Sequence, residues 1–160
     1  MPRNKKYWKR RFGNVENIPE YNHHLDFRRI TDLDDEGFAY LLSNVKGVNM
    51  LDLNETDITN NSITLLTKLE YVYELRIKGC TEIDDHCIAD LNKITGLKFL
   101  HAKNTNITID GLLKLNALTN LTELMFSVDD ATIIKDKMLL LKNNLPDCSF
   151  TVNSRPYIFT

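Results

Sequence analysis

A chain of 160 residues with 42% apolar and 26% charged side chains is bounded to one domain with a core of its own. A formal net charge of -2 excludes any overall pull toward nucleic acid or acidic membranes, so partners have to be argued from local features. Three scattered cysteines, Cys80, Cys87 and Cys148, exclude a disulfide framework and fit a reducing compartment.

Residues 1–21 read as a basic and aromatic N-terminal arm or cap. Arg3, Lys5, Lys6, Lys9, Arg10 and Arg11 all precede the first acid, Glu16, with Tyr7, Trp8 and Phe12 among them. Three readings stay open. Trp8 and Phe12 can fold back over the first structural unit with the charges solvated. Alternatively, cations and aromatics can serve phosphates and bases. The arm can also act as an Arg-rich, acid-poor mitochondrial presequence, although it lacks the usual serines. It has no apolar stretch of the secretory kind, and no run in the chain approaches the ~18 apolar residues of a membrane span. The expectation is an intracellular protein, cytoplasmic unless the arm directs it to mitochondria.

From residue 22 to 153 a short pattern returns: Leu25-Asp26-Phe27, Leu51-Asp52-Leu53, Leu75-Arg76-Ile77, Leu100-His101-Ala102, Leu124-Met125-Phe126 and Phe150-Thr151-Val152, in steps of 26, 24, 25, 24 and 26. Apolar residues on both sides of a variable one predict six short strands. Each is followed by a turn ending in an apolar anchor (Leu33, Ile58, Ile83, Ile107), flanked by Asp, Asn or Thr able to cap a helix. Helices are predicted over 35–44, 61–70, 85–94, 109–117 and 130–144. Their inward faces carry Phe38, Leu41 and Leu42; Ile63, Leu66 and Leu69; Ile88, Leu91 and Ile94; Leu112, Leu115 and Leu118; and Ile134, Met138 and Leu141. Gly37, Cys87 and Gly111 share one register, which suggests close approach of the helix to a neighbour. Residues 154–160 form a tail or cap. Asn54, Asn60, Asn106 and Asn120 stand in Asn-x-Ser/Thr triplets, expected to be turn chemistry.

The segment Val72-x-x-Leu75-x-Ile77-x-x-Cys80-x-x-Ile83-x-Asp85, with the period, resembles the leucine-rich repeat family of the ribonuclease-inhibitor-like, cysteine-containing kind. The resemblance implies an α/β solenoid: a right-handed βα superhelix with a parallel sheet of about six short strands on the concave face and helices on the convex face. It also implies a scaffold for binding another protein. One departure is that Thr56, Thr105 and Ile30 stand where the third unit has Cys80, which argues against chemistry needing the thiol.

A search for chemistry finds little. Cys80, His86 and Cys87 are good zinc ligands in type but lack the count and paired spacing of a structural site. His23-His24 has no partners, and Asp34-Asp35 and Asp84-Asp85 sit where helix dipoles explain them. No catalytic activity, cofactor, metal or small-molecule substrate is expected. In a stacked parallel sheet the middle residue of each triplet faces away from the core. The columns it generates hold the candidate partner-binding residues: Asp26, Asp52, Arg76, His101 and Met125; Arg28, Lys78 and Lys103; Met50, Glu74, Phe99 and Glu123. Strands about 4.8 Å apart gather Arg76, Lys78, His101 and Lys103 into a basic patch with Met50, Phe99 and Met125 as apolar contacts. The structural alternative is a solvated face in which Asp52 pairs with Arg76. The expected function is non-catalytic binding of a partner protein through this face. The alternative is association with nucleic acid through the arm and Arg76, Lys78 and Lys103.

Overall fold

The computed structural model describes residues 4–160, so Arg3 of the basic arm lies outside the described residues. The apolar triplets become the ends of strands β1 (Tyr21–Asp26), β2 (Gly47–Asp52), β3 (Tyr71–Arg76), β4 (Phe99–His101), β5 (Glu123–Phe126) and β6 (Ser149–Val152). They lie side by side in chain order, each parallel to the next. The register is the one the spacing predicts: Leu25, Leu51, Leu75, Leu100, Leu124 and Phe150 are cross-strand partners in sequence. The first three strands begin about four residues earlier than the triplets. A seventh strand, β7 (Arg155–Pro156), was not expected and runs antiparallel to β6, so the sheet is mixed and not wholly parallel. The two-residue turn that makes it, Asn153 and Ser154, has φ of 50° and 67°, the pair of left-handed residues a tight hairpin needs. The tail after it returns to the core, with Tyr157 N–H donating to the Phe150 carbonyl at 2.8 Å.

Between strands the chain forms α2 (Asp35–Leu41), α3 (Asn60–Leu66), α4 (Ile88–Leu91, entered through a 3-10 turn at Asp85–Cys87), α5 (Ile109–Leu112) and α6 (Lys135–Asn144), while α1 (Lys5–Phe12) precedes the sheet. The anchors Leu33, Ile58 and Ile83 are wholly buried, as are Phe38, Ile63, Leu91, Leu112 and Leu141 on the inward helical faces. Together with the strand leucines they make one continuous core between sheet and helices. Four of the five predicted helices end early. A unit of about 24 residues leaves room for one or two turns before the chain must reverse, and it does so through tight bonds such as Val45 N–H to Leu42 and Ile94 N–H to Leu91. Leu69 is accordingly only half-buried. The last helix opens at residue 135 and not at 130, because the Asp130 carboxylate accepts from Thr132 N–H at 2.8 Å and from its hydroxyl at 2.6 Å. That local turn competes with helix.

Capping follows the expected residues: Asp34, Thr59, Asp84 and Thr108 each accept a backbone N–H at a helix or 3-10 start. Glu55, Gly79 and Asn104 occupy one register in the turns and share a left-handed backbone with φ of 60°, 74° and 56°. The triplet asparagines stitch neighbouring turns. Asn54 accepts from Lys78 N–H, Asn60 donates to Asp84, Asn106 to the Thr81 carbonyl and Asn120 to the Thr95 carbonyl. At the N-terminal end Trp8 is 2% exposed and its ring lies on Gly37, where a Cβ would sit 2.8 Å from it. The Tyr40 hydroxyl donates to the Gly13 carbonyl at 2.7 Å, and Arg11 pairs with Asp32. Lys5–Phe12 of the arm is therefore helical and packed against α2 through Trp8. Among the described residues no helix is long and apolar enough to cross a membrane.

Candidate functional site

Alternation along the strands leaves one sheet face against the helices and the other open. Cross-strand pairing aligns Asp26, Asp52, Arg76, His101 and Met125 as one row, and His24, Met50, Glu74, Phe99 and Glu123 as the row before it. Every expected site residue except Asp52 keeps solvent contact. Asp26 and Arg28 are exposed, and Met50, Glu74, Arg76, Lys78, Phe99, His101, Lys103, Glu123 and Met125 are half-buried.

Asp52 is the correction. It is 2% exposed, so its carboxylate is part of the floor and not a contact surface. The Asp52–Arg76 pair of the structural alternative does not form. Arg28 takes that carboxylate instead, its Nε 3.4 Å from Asp52 Oδ2, while the same guanidinium grips Asp26 at 2.9 and 2.6 Å. The hydrogen bonds from Arg28 hold the Asp26 carboxyl down at about 2, and Asp26 in turn raises the Arg28 guanidinium. Two acids at the N-terminal edge thus share one arginine whose position, two residues past the triplet's middle, lets it reach both strands.

Arg76 turns along its own strand, with Nη2 3.2 Å from Glu74 Oε2, and lies over the Phe99 ring at 5.0 Å from its centroid. Phe99 meets His101 edge-on at 6.4 Å. Burial lowers the His101 pKa, and Arg76, Lys78 and Lys103 push it the same way, opposed by Asp52; the imidazole is held toward its neutral form. Among the described residues Arg76 Nε and His101 Nε2 are closed off from solvent without a hydrogen-bond partner. Lys78 reaches Glu55 at 3.2 Å, and Lys103 donates to the Ser154 hydroxyl of the closing hairpin.

Beside this patch lies a row that the sequence reading overlooked. Tyr71 stacks on Tyr73 at 4.6 Å, Tyr21 lies nearly parallel to Tyr71 at 6.3 Å, and the Lys98 ammonium sits 4.8 Å from the Tyr73 centroid. Gly47, the register partner of both Tyr21 and Tyr71, makes the room: a Cβ there would lie 2.5 Å from the Tyr71 ring. Tyrosine, glycine, tyrosine at the repeat spacing was the available signal.

The other candidates fall into structural roles. Cys80 and Cys87 are buried, and burial raises both thiols, Cys87 to about 12. His86 is exposed and bound to Asp84. Among the described residues no group of three His, Cys, Asp or Glu is placed to hold a metal ion. Asp35 and Asp85 do more than meet a helix dipole. Asp35 accepts from Thr59 N–H, the Thr59 hydroxyl and the Ser62 hydroxyl, and Asp85 accepts from both donors of Thr108. Each carboxylate therefore fastens its unit to the next. At the same register the next residue is Ile109, the fastening stops, and a groove of about 590 Å³ opens between Asn104 and Val128. In comparisons with known proteins, no family model and no curated protein matches the chain.

Proposed function

We propose that the chain is a leucine-rich-repeat solenoid, a right-handed βα superhelix with its open sheet face concave. We propose further that it acts as a non-catalytic, cytoplasmic module binding a partner protein through that face. What supports the fold reading is the recurrence of strand, turn anchor and helix at 24 to 26 residues with the leucine column in register. What carries the functional reading is Phe99, half-buried on the sheet with Arg76 stacked on it, Met50 in the same row two strands away and Met125 in the next row. Apolar anchors among charges give a docking surface its affinity and its orientation. Association with nucleic acid is the weaker reading. Trp8 is buried on Gly37 and unable to stack on bases, and Arg76 and Lys78 already face Glu74 and Glu55.

The test is a capture experiment from native lysate with the wild type and the Phe99→Ala/Arg76→Glu double variant. Both substitutions lie on half-buried side chains outside the core, so the double variant loses the partner while its thermal unfolding midpoint stays within a few degrees. Undiminished capture by the double variant removes the open face from the account.

A further inference from the structure

We propose that the element docking on the open face is an acidic segment, with one carboxylate seated between Arg76 and His101 and a neighbouring apolar side chain on Phe99 and Met125. This rests on the docking reading above and names the chemistry of its partner.

The geometry supplies the complementarity. Arg76 and His101 are cross-strand partners, and Lys78 and Lys103 follow them two residues on, so four basic groups converge over two adjacent strands. The acids bonded to them are Glu74 and Glu55, whose side chains are 36% and 66% exposed. Asp52 is committed to Arg28. Such exposed ion pairs contribute little, so an incoming carboxylate exchanges with Glu74 at small cost.

The two orphaned nitrogens point the same way. Arg76 Nε and His101 Nε2 sit in the patch with no hydrogen-bond partner among the described residues, and a buried polar nitrogen left unpartnered is costly. A carboxylate drawing the guanidinium off Glu74 gives Nε an acceptor, and the protonated imidazole of His101, the cross-strand partner of Arg76, meets the same carboxylate. Phe99, already under the guanidinium, and Met125, the register partner of His101, then form the apolar half of the seat.

Proton uptake gives the proposal a signature. The charged groups facing His101 are Arg76 and Lys78 from the β3 side, Lys103 beyond its own strand and Asp52 from β2; Met125 on the β5 side carries no charge. The three cations and burial favour neutral imidazole in the free protein. A seated carboxylate reverses that preference, so binding takes up a proton and affinity rises as pH falls through the histidine range.

The experiment uses the full chain and two synthetic extended heptapeptides, one alternating glutamate with leucine and one alternating glutamine with leucine. Binding is followed by chemical-shift titration at about pH 7.5 and about pH 5.8, where peptide glutamates remain ionised. The expected result is roughly tenfold tighter binding of the glutamate peptide. It should tighten further by roughly threefold at the lower pH, with shifts centred on β3 to β5. His101→Gln keeps the peptide preference and loses the pH dependence; Arg76→Gln loses the preference. Equal binding of both peptides, abolished by Phe99→Ala, overturns the acidic partner and leaves open-face docking standing. Shifts confined to the helical layer overturn both. A single-stranded oligonucleotide binding more tightly than the glutamate peptide, and lost in Arg76→Gln, overturns the carboxylate in favour of phosphate.

Discussion

Truncation of Leu100 probes the column of leucines on which the stacking depends. Leu100 is wholly buried in the three-residue strand β4, in register between Leu75 and Leu124, which are wholly buried too. Leu100→Ala removes three carbons, worth about 0.8 kcal/mol each or about 2.4 kcal/mol together. The remaining cavity adds to this. Backbone bonds hold the flanking strands about 4.8 Å away, so the walls cannot close on the gap, and the total rises to about 3–4 kcal/mol. Leu25 occupies the same column at the open edge, where it is half-buried and has a strand on one side. Leu25→Ala should cost about 1 kcal/mol. Urea unfolding followed by circular dichroism measures both, with the slope unchanged if only stability moves. A cost for Leu100→Ala under about 1.5 kcal/mol, or equal costs at the two sites, refutes the register.

Asp35→Ala leaves three donors of the next unit without their acceptor and should cost about 2–3 kcal/mol, whereas Asp85→Ala, which strands two donors, should cost roughly half as much. Equal, negligible losses in urea unfolding would deny the carboxylates their role as fasteners between units. The Asp26–Arg28 pair predicts an acid effect of definite sign. The folded carboxyl, at about 2, lies below its ordinary 3.8, so its contribution is fully present above about 3.8 and is lost as pH falls toward 2. Asp26→Asn should therefore flatten stability between about pH 4 and pH 2, and an unchanged acid limb would show that the pair contributes nothing.

Register was legible in the sequence because burial on one sheet face forces apolar residues to recur on both sides of each triplet's middle, and slipping by a single residue would expose all of them. Leu33, Ile58 and Ile83 were legible as turn anchors for the same reason. The charged rows were harder. Asp52 reads as a surface acid from alternation alone, yet Arg28, two residues beyond β1, reaches across to its buried carboxylate, a consequence of side-chain length that no period records. The left-handed backbone at Glu55 carries no signal of its own, and only Gly79 and Asn104 at the same register indicate it. The hairpin of β7 escaped because Asn153-Ser154 is a poorer turn signal than Asn-Gly. The short helices escaped because apolar periodicity runs on through residues such as Leu42 and Ile94, which face inward from tight turns as readily as from helix.

The role of the open face is tested most directly by placing a photo-crosslinking amino acid at position 125, on that face, and at position 114, exposed in the helical layer, and irradiating native extract. The expected result is a discrete protein adduct from position 125 that is absent from position 114. Adducts from position 114 alone, or equal yields from both, would contradict docking on the sheet.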